Sequence, residues 1–147
     1  MTKLAGNKNS KVTNPKNQNH IFGIVPSFNL GNGIITPEAP IILKVGHHIY
    51  KTKSGFGVNH IWAGHKNEII TAGYNNIEDV AQFVGDIIVP GTDIFCEKIG
   101  WSNGHRCNVL QSSLGIVILE LQKNDEYSVI SAYTRKQSRG TLVGKIL

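Results

Sequence analysis

The spacing of apolar residues predicts two consecutive helices in the middle of the chain. Between residues 58 and 69, apolar positions recur at intervals of three and four, which is the period of one helix face. The residues on this face are Val58, Ile61, Trp62, His65 and Ile69. A second run with helical spacing follows Asn76, a residue type that favours helix starts, and ends at Pro90 and Gly91.

From residue 93 onward the period changes to two, which is typical of strands. Four strand segments are predicted, at residues 93–97, 106–110, 115–121 and 127–133. The turns between them are short, so an antiparallel meander is expected. The predicted fold class is therefore α+β, with N-terminal helices packed on a four-stranded or larger antiparallel β-sheet.

The first 45 residues have a different character. Residues 1–20 are rich in Asn and Lys and have few apolar side chains, which favours a partly disordered linker. Residues 21–45 contain short apolar pieces broken by Gly and Pro, and residues 40–45 are the best strand candidate among them. We therefore divide the chain into a segment at 1–45 and a domain at 46–147.

Charge is distributed unevenly along the chain, whose net charge is +5. Residues 1–37 carry four lysines and no acid, and the last 21 residues carry four cations and no acid. Basic ends attract polyanions, although a solvated basic surface would have the same composition. No apolar run approaches the roughly 20 residues of a membrane span, and the first 20 residues lack the apolar core of a signal peptide.

The two cysteines, Cys96 and Cys107, are too few for a disulfide scaffold and lack the clustered spacing of a zinc site. If the hairpin between them is centred between residues 101 and 102, they face each other across it. A cross-strand disulfide is then possible in an oxidising compartment. Two buried thiols are the favoured alternative for a cytosolic site of action.

The histidines do not predict a metal site or a cofactor. His47 and His48 have no neighbouring acid or thiol, and His60 and His65 lack the i, i+4 spacing that shares a zinc ion. A turn of about 100° per residue places His65 on the apolar face, toward the sheet, and His60 on nearly the opposite side. His65 is then either a general base or acid in a cleft, or a core histidine held by a hydrogen bond.

The end of the fourth strand concentrates polar chemistry. Ser131 and Tyr133 share one face, and Thr134, Arg135 and Lys136 follow. Hydroxyl groups, a phenol and cations suit a phosphodiester, although a strand edge with a basic tail has the same residues. Metal-free RNA cleavage needs a base for the 2′-OH, an acid for the leaving 5′-oxygen and a cationic clamp. A helix histidine facing this strand meets that requirement, with Arg106 as a further cation.

Three segments carry a resemblance to a known family. GFGVNHIWAGHKNEI at 55–69, NIEDVAQFVGDII at 76–88 and YSVISAYTRK at 127–136 resemble toxin domains at the C-termini of contact-dependent growth inhibition proteins. These domains belong to the superfamily that groups barnase, EndoU, colicin-type tRNases and RelE. The resemblance covers roughly residues 55–140 and implies the barnase/EndoU/colicin/RelE-like form of the α+β fold.

The resemblance also implies a function. It points to a metal-independent endoribonuclease toxin, often a tRNase, that is exported within a larger cell-surface protein and delivered to the target-cell cytoplasm. A cognate immunity protein, which we expect to be acidic, would block it. Residues 1–45 would be a linker or the remnant of the segment that governs how the toxin enters the target cell.

The resemblance assigns catalytic positions to His60, His65, Ser131, Tyr133 and Thr134. Arg106, Arg135 and Lys136 are expected to bind RNA, and Arg106 is added from its chemistry rather than from the match. A non-catalytic RNA- or protein-binding module is the alternative, because the same basic ends would serve it.

Overall fold

The computed structural model describes residues 2–29, 35–96, 107–135 and 140–147, with the side chains of residues 107 and 108 outside the description. The strands in chain order are β1 (Ile21–Val25), β2 (Phe28–Asn29), β3 (Ile35–Thr36), β4 (Ala39–Ile42), β5 (His47–Ile49), β6 (Ser54–Phe56), β7 (Asp93–Cys96), β8 (Cys107–Ser112), β9 (Gly115–Leu121), β10 (Tyr127–Tyr133) and β11 (Thr141–Lys145). The helices are α1 (Gly57–Thr71) and α2 (Val80–Ile87), and a 3-10 turn at Ile77–Asp79 leads into α2.

Seven strands form the main sheet in the order β1-β4-β10-β9-β8-β7-β11. Strands β4 and β10 run parallel, and the other neighbouring pairs are antiparallel. The meander predicted from the sequence is present as β7 to β10, and β9 and β10 have the predicted bounds. Strands β2–β3 and β5–β6 form two small separate sheets.

The predicted α+β arrangement, with N-terminal helices on an antiparallel sheet, is wrong. The described residues contain more strand than helix, the sheet is mixed, and the two short helices follow six strands rather than opening the domain. The reason lies at the edge of the meander. Strand β10 would leave unpaired backbone groups there, and β4, with Ile41 and Ile42 buried, pairs with that edge.

Residues before β1 are hydrogen-bonded to the segment that follows β4. The N–H of Val12 donates to the carbonyl of Leu43 (2.8 Å), and the N–H of Val45 donates to the carbonyl of Ser10 (2.9 Å). The Lys11 ammonium pairs with the Glu126 carboxylate at 2.9 Å, in the turn before β10. The segment assigned to a linker is therefore attached to the sheet, and its role in reaching a target cell stays a prediction.

One continuous core holds the helices against the sheet. Ile61 and Ile69 of α1 and Phe83 of α2 are almost fully buried, in the same cluster as Leu110 and Leu119 of the sheet. Burial of each such side chain contributes about 1.5–3 kcal/mol. The predicted apolar face of α1 is buried apart from His65, which is partly exposed. This packing fixes the helix that carries two of the candidate site residues.

The hairpin register differs from the prediction by one residue. Strands β7 and β8 pair Cys96 with Asn108, so Cys107 does not lie directly opposite Cys96. A shift of one residue moves a side chain to the other face of a sheet. The register that would place the two cysteines opposite each other is therefore not adopted, and Cys96 is a buried free thiol, which agrees with the favoured alternative for this residue. The predicted centre of this hairpin, between residues 101 and 102, lies outside the described residues.

None of the helices in the described ranges combines the length and the apolar character needed to cross a membrane.

Candidate functional site

The β5–β6 hairpin is fixed against the start of α1. The N–H groups of Val58 and Asn59, which lack partners within a helix, donate to the carbonyls of Lys44 and Val45 at 3.0 Å each. Gly46 has a φ of 75°, and a Cβ added to it would lie 1.8 Å from the Phe56 carbonyl oxygen. Only glycine permits this approach, which brings the hairpin against the first turns of the helix.

Two histidines meet at this contact. The Nδ1 atoms of His48 and His60 lie 2.8 Å apart, and the rings stack with centroids 5.0 Å apart. The ring of Tyr50 meets the His48 ring edge-on at 4.4 Å. A hydrogen bond between two Nδ1 atoms requires one of them to carry the proton and the other to accept it. The pair therefore has one proton to share between these two nitrogens.

The environment of His60 lowers its pKa from the usual 6.5. Partial burial is the largest cause, and the neighbouring His48, His65 and His47 add electrostatic repulsion of the charged form. Since the shift is downward, His60 is neutral at pH 7. A neutral imidazole can accept a proton, which is the property required of a general base.

His60 and His65 line the same cavity, although the helical count placed them on nearly opposite faces. The backbone of His65 is not helical (φ −136°, ψ 15°), so the rotation of about 100° per residue does not apply across it. Gly64, a weak helix former, precedes this break. We call the opening of about 450 Å³ the histidine cavity, and its main polar lining residues are His48, Tyr50, Lys53, His60 and His65.

Glu68 connects this part of α1 to the end of β10. Its Oε2 atom lies 3.5 Å from Nδ1 of His65. Its Oε1 atom accepts hydrogen bonds from the backbone N–H of Thr134 (2.7 Å) and from the Thr134 hydroxyl (3.3 Å). The Glu68 carboxylate therefore orients both His65, a candidate acid or base, and Thr134, a candidate site residue at the end of β10.

Tyr133 is buried beside His65. The two ring centroids are 5.0 Å apart, and the Arg135 guanidinium carbon lies over the Tyr133 ring, 5.1 Å from its centroid. Tyr133 therefore supports an imidazole and a cation through its ring. Arg135 itself is exposed, so its charge is accessible to a ligand.

The structure brings together His60, His65, Tyr133, Thr134 and Arg135 of the predicted site residues. Ser131 is partly buried on β10, opposite Ile118, and no described contact joins it to the histidines. Arg106 and Lys136 lie outside the described residues. The assigned chemical role of each of these residues stays a prediction.

Four further residues of this region were not assigned from the sequence, namely His48, Tyr50, Lys53 and Glu68. Glu68 had a usable signal, because a residue three positions after His65 on a helix is its neighbour. The other three lie in or beside the β5–β6 hairpin. Their position depends on the close approach of the hairpin to α1, which residue spacing alone does not reveal.

Within the described ranges, no three His, Cys, Asp or Glu side chains are grouped so that they could hold a metal ion. No protein-family model, no curated protein and no solved structure matches the chain. A functional proposal therefore has to be argued from the chemistry of the histidine cavity.

Proposed function

We propose that the protein is a metal-independent endoribonuclease. The observation that carries this proposal is the shared cavity of His60 and His65, because two imidazoles that flank a phosphodiester can act as base for the attacking oxygen and acid for the leaving oxygen. The surrounding cations Lys53 and Arg135 support a polyanionic substrate.

In the proposed reaction the 2′-oxygen of a nucleotide attacks the adjacent phosphorus. A base removes the 2′-OH proton, the O2′–P bond forms, and the P–O5′ bond breaks while an acid protonates the leaving 5′-oxygen. The products are a 2′,3′-cyclic phosphate and a 5′-hydroxyl end. Such a reaction needs no cofactor, and general acid–base catalysis contributes about 10²–10⁴-fold.

His60 is the proposed base. Its lowered pKa keeps the ring neutral at pH 7. Its Nδ1 atom is engaged with His48, which leaves Nε2 as the nitrogen for the 2′-OH. His48 then acts as a positioning residue that sets the orientation of the His60 ring.

His65 is the proposed acid. The Glu68 carboxylate faces its Nδ1 atom, so an imidazolium at this position has a negatively charged neighbour, and Nε2 can donate to the 5′-oxygen. The end of β10 leads into Thr134, which donates to Glu68, and into Arg135, whose guanidinium lies over the Tyr133 ring. We place the Arg135 guanidinium near the phosphate, where a cation would stabilise the developing charge, while Thr134 holds the Glu68 carboxylate through its N–H and hydroxyl.

The biological setting of the proposal rests on the resemblance and on charge. We propose that the RNA is a tRNA in the cytoplasm of a target bacterium and that the domain arrives there as part of a larger exported toxin. The net charge of +5 fits a polyanionic substrate and an acidic immunity protein that covers the cavity.

The deciding experiment is incubation of the purified protein with total RNA in EDTA. We expect discrete fragments with 5′-hydroxyl and 2′,3′-cyclic phosphate ends, and we expect His65→Ala and His60→Ala to abolish them. His20→Ala is the matched control, because His20 is exposed and lies outside the cavity lining. Expression of the wild type without a partner should arrest growth, and His65→Ala should relieve the arrest.

Intact RNA after incubation with the wild type would contradict this proposal. That result would favour a non-catalytic RNA- or protein-binding module. Cleavage that survives the His65 substitution would instead remove the assigned role of His65.

A further inference from the structure

A second cavity adjoins the histidine cavity and shares His48 and Tyr50 with it. Its volume is about 230 Å³. One wall comes from the N-terminal segment, which contributes Lys3 and Lys8, and the other comes from the β5–β6 hairpin, which contributes His47. We call this opening the lysine cavity. The catalytic proposal makes no use of it.

Hydrogen bonds fix the N-terminal wall in place. The side-chain amide of Asn59 accepts from the Leu4 N–H (2.7 Å) and donates to the Leu4 carbonyl (3.3 Å) and to the Gly46 carbonyl (3.2 Å). The Gly46 N–H donates to the Lys8 carbonyl at 2.8 Å. One residue of α1, directly before His60, therefore holds both walls of the lysine cavity.

The two cavities together favour an anionic chain. Their described lining residues include Lys3, Lys8 and Lys53 together with four histidines, and they include no Asp or Glu. Tyr50 lies at the junction of the two cavities and is about half exposed as a residue (48%). Cations that follow a phosphate backbone and an aromatic ring on which a base stacks are the two elements of single-strand recognition.

We propose that the lysine cavity is a subsite for the nucleotides adjoining the scissile phosphate, with Lys3 and Lys8 on backbone phosphates and Tyr50 against a base. This proposal rests on the ribonuclease function and extends it. The preferred substrate is then single-stranded RNA that continues past the cleaved bond, such as a loop. The N-terminal segment takes part in substrate binding.

The test uses the full chain and a fluorescent six-nucleotide 2′-O-methyl RNA of mixed sequence, which lacks the nucleophile and cannot be cleaved. Affinity is measured by anisotropy over a series of salt concentrations. For Lys3→Gln combined with Lys8→Gln, we expect a weakening of about tenfold and a loss of about 1.4 from the salt slope, at roughly 0.7 per phosphate contact. Lys123→Gln is the control, because Lys123 is exposed in the turn before β10 and lines neither cavity.

The outcomes separate the two proposals. A wild type that cleaves total RNA and binds the probe, with affinity and salt slope unchanged by the double substitution, would overturn the subsite alone. A wild type that neither cleaves RNA nor binds the probe would overturn the ribonuclease proposal and the subsite with it. Unchanged circular dichroism of the double variant verifies its fold, since both replaced side chains are exposed.

Discussion

The Nδ1 atoms of His48 and His60 lie within hydrogen-bonding distance, at 2.8 Å, across the contact between the β5–β6 hairpin and α1. Only one of the two atoms can carry a proton while this bond exists. Protonation of both rings would place two N–H groups against each other. The contact therefore couples the charge of His60 to the position of the hairpin.

The first prediction concerns the pH dependence of activity. Because burial and the neighbouring histidines lower the pKa of His60, the base form persists below the ordinary value of 6.5. The rate should therefore hold at pH 6.5 and fall only as the pH drops through the lowered pKa. Titration of the His60 ring by NMR checks this assignment. A His60 ring that titrates at or above 6.5 would contradict it.

The second prediction concerns Glu68. Replacement by Gln keeps an oxygen for the Thr134 N–H and removes the negative charge beside His65. We expect kcat to fall about tenfold, a part of the roughly 10²–10⁴-fold that general acid–base catalysis supplies, while KM stays unchanged because Glu68 acts through His65. Glu78→Gln is the control, because Glu78 is an exposed acid in the turn before α2. An unchanged kcat would show that Glu68 does not position His65.

The third prediction separates the ring of Tyr133 from its hydroxyl group. The ring contacts His65 and lies under the Arg135 guanidinium, so Tyr133→Phe should keep the fold and most of the activity. Tyr133→Leu should lower both the thermal stability and the cleavage rate, because it removes ring interactions that sum to about 1–2 kcal/mol. Rates and thermal unfolding of the two variants make the comparison. A Phe variant as inactive as the Leu variant would assign the phenol a direct role in the reaction.

The fourth prediction concerns Asn59, whose side chain joins Leu4 and Gly46 to α1. Asn59→Ala leaves these partly buried backbone groups without their partners, so the free energy of unfolding should fall by about 1–3 kcal/mol. Asn59→Asp keeps the acceptor for the Leu4 N–H, so its free energy of unfolding should lie between those of the wild type and Asn59→Ala. Urea unfolding measures the loss. Asn75→Ala, at an exposed position, should unfold like the wild type, and a similarly small effect at Asn59 would contradict the prediction.

Much of the second half of the chain was predictable because its signals are local. The α1 helix follows from four buried side chains at helical spacing, and β9 and β10 follow from apolar runs between short turns. Strands β1 and β4 carry weaker signals, since Gly and Pro interrupt their surroundings. The parallel pairing of β4 with β10 joins distant residues, such as Ile42 and Ser128, and no local pattern encodes it.

The site was predictable only in part for the same reason. The residue types near the end of β10 indicated phosphate chemistry, and they lie beside His65. The mutual placement of His60 and His65 was not predictable, because an ideal helix was assumed across a residue whose backbone is not helical. His48 reaches the site because Gly46 allows the hairpin backbone to approach the start of α1 closely. Such a contact depends on the tertiary structure and cannot be predicted from local residue spacing.

The parallel pairing of β4 with β10 also has a consequence for the order of events during synthesis. Strand β10 is the partner of β4 and leads into Thr134 and Arg135, so a nascent chain that ends before this strand has an unpaired β4 edge and lacks the strand end that contacts Glu68 and His65. Pairings between such distant residues form slowly. The complete arrangement around His65 is therefore expected to form only after strand β10 has left the ribosome.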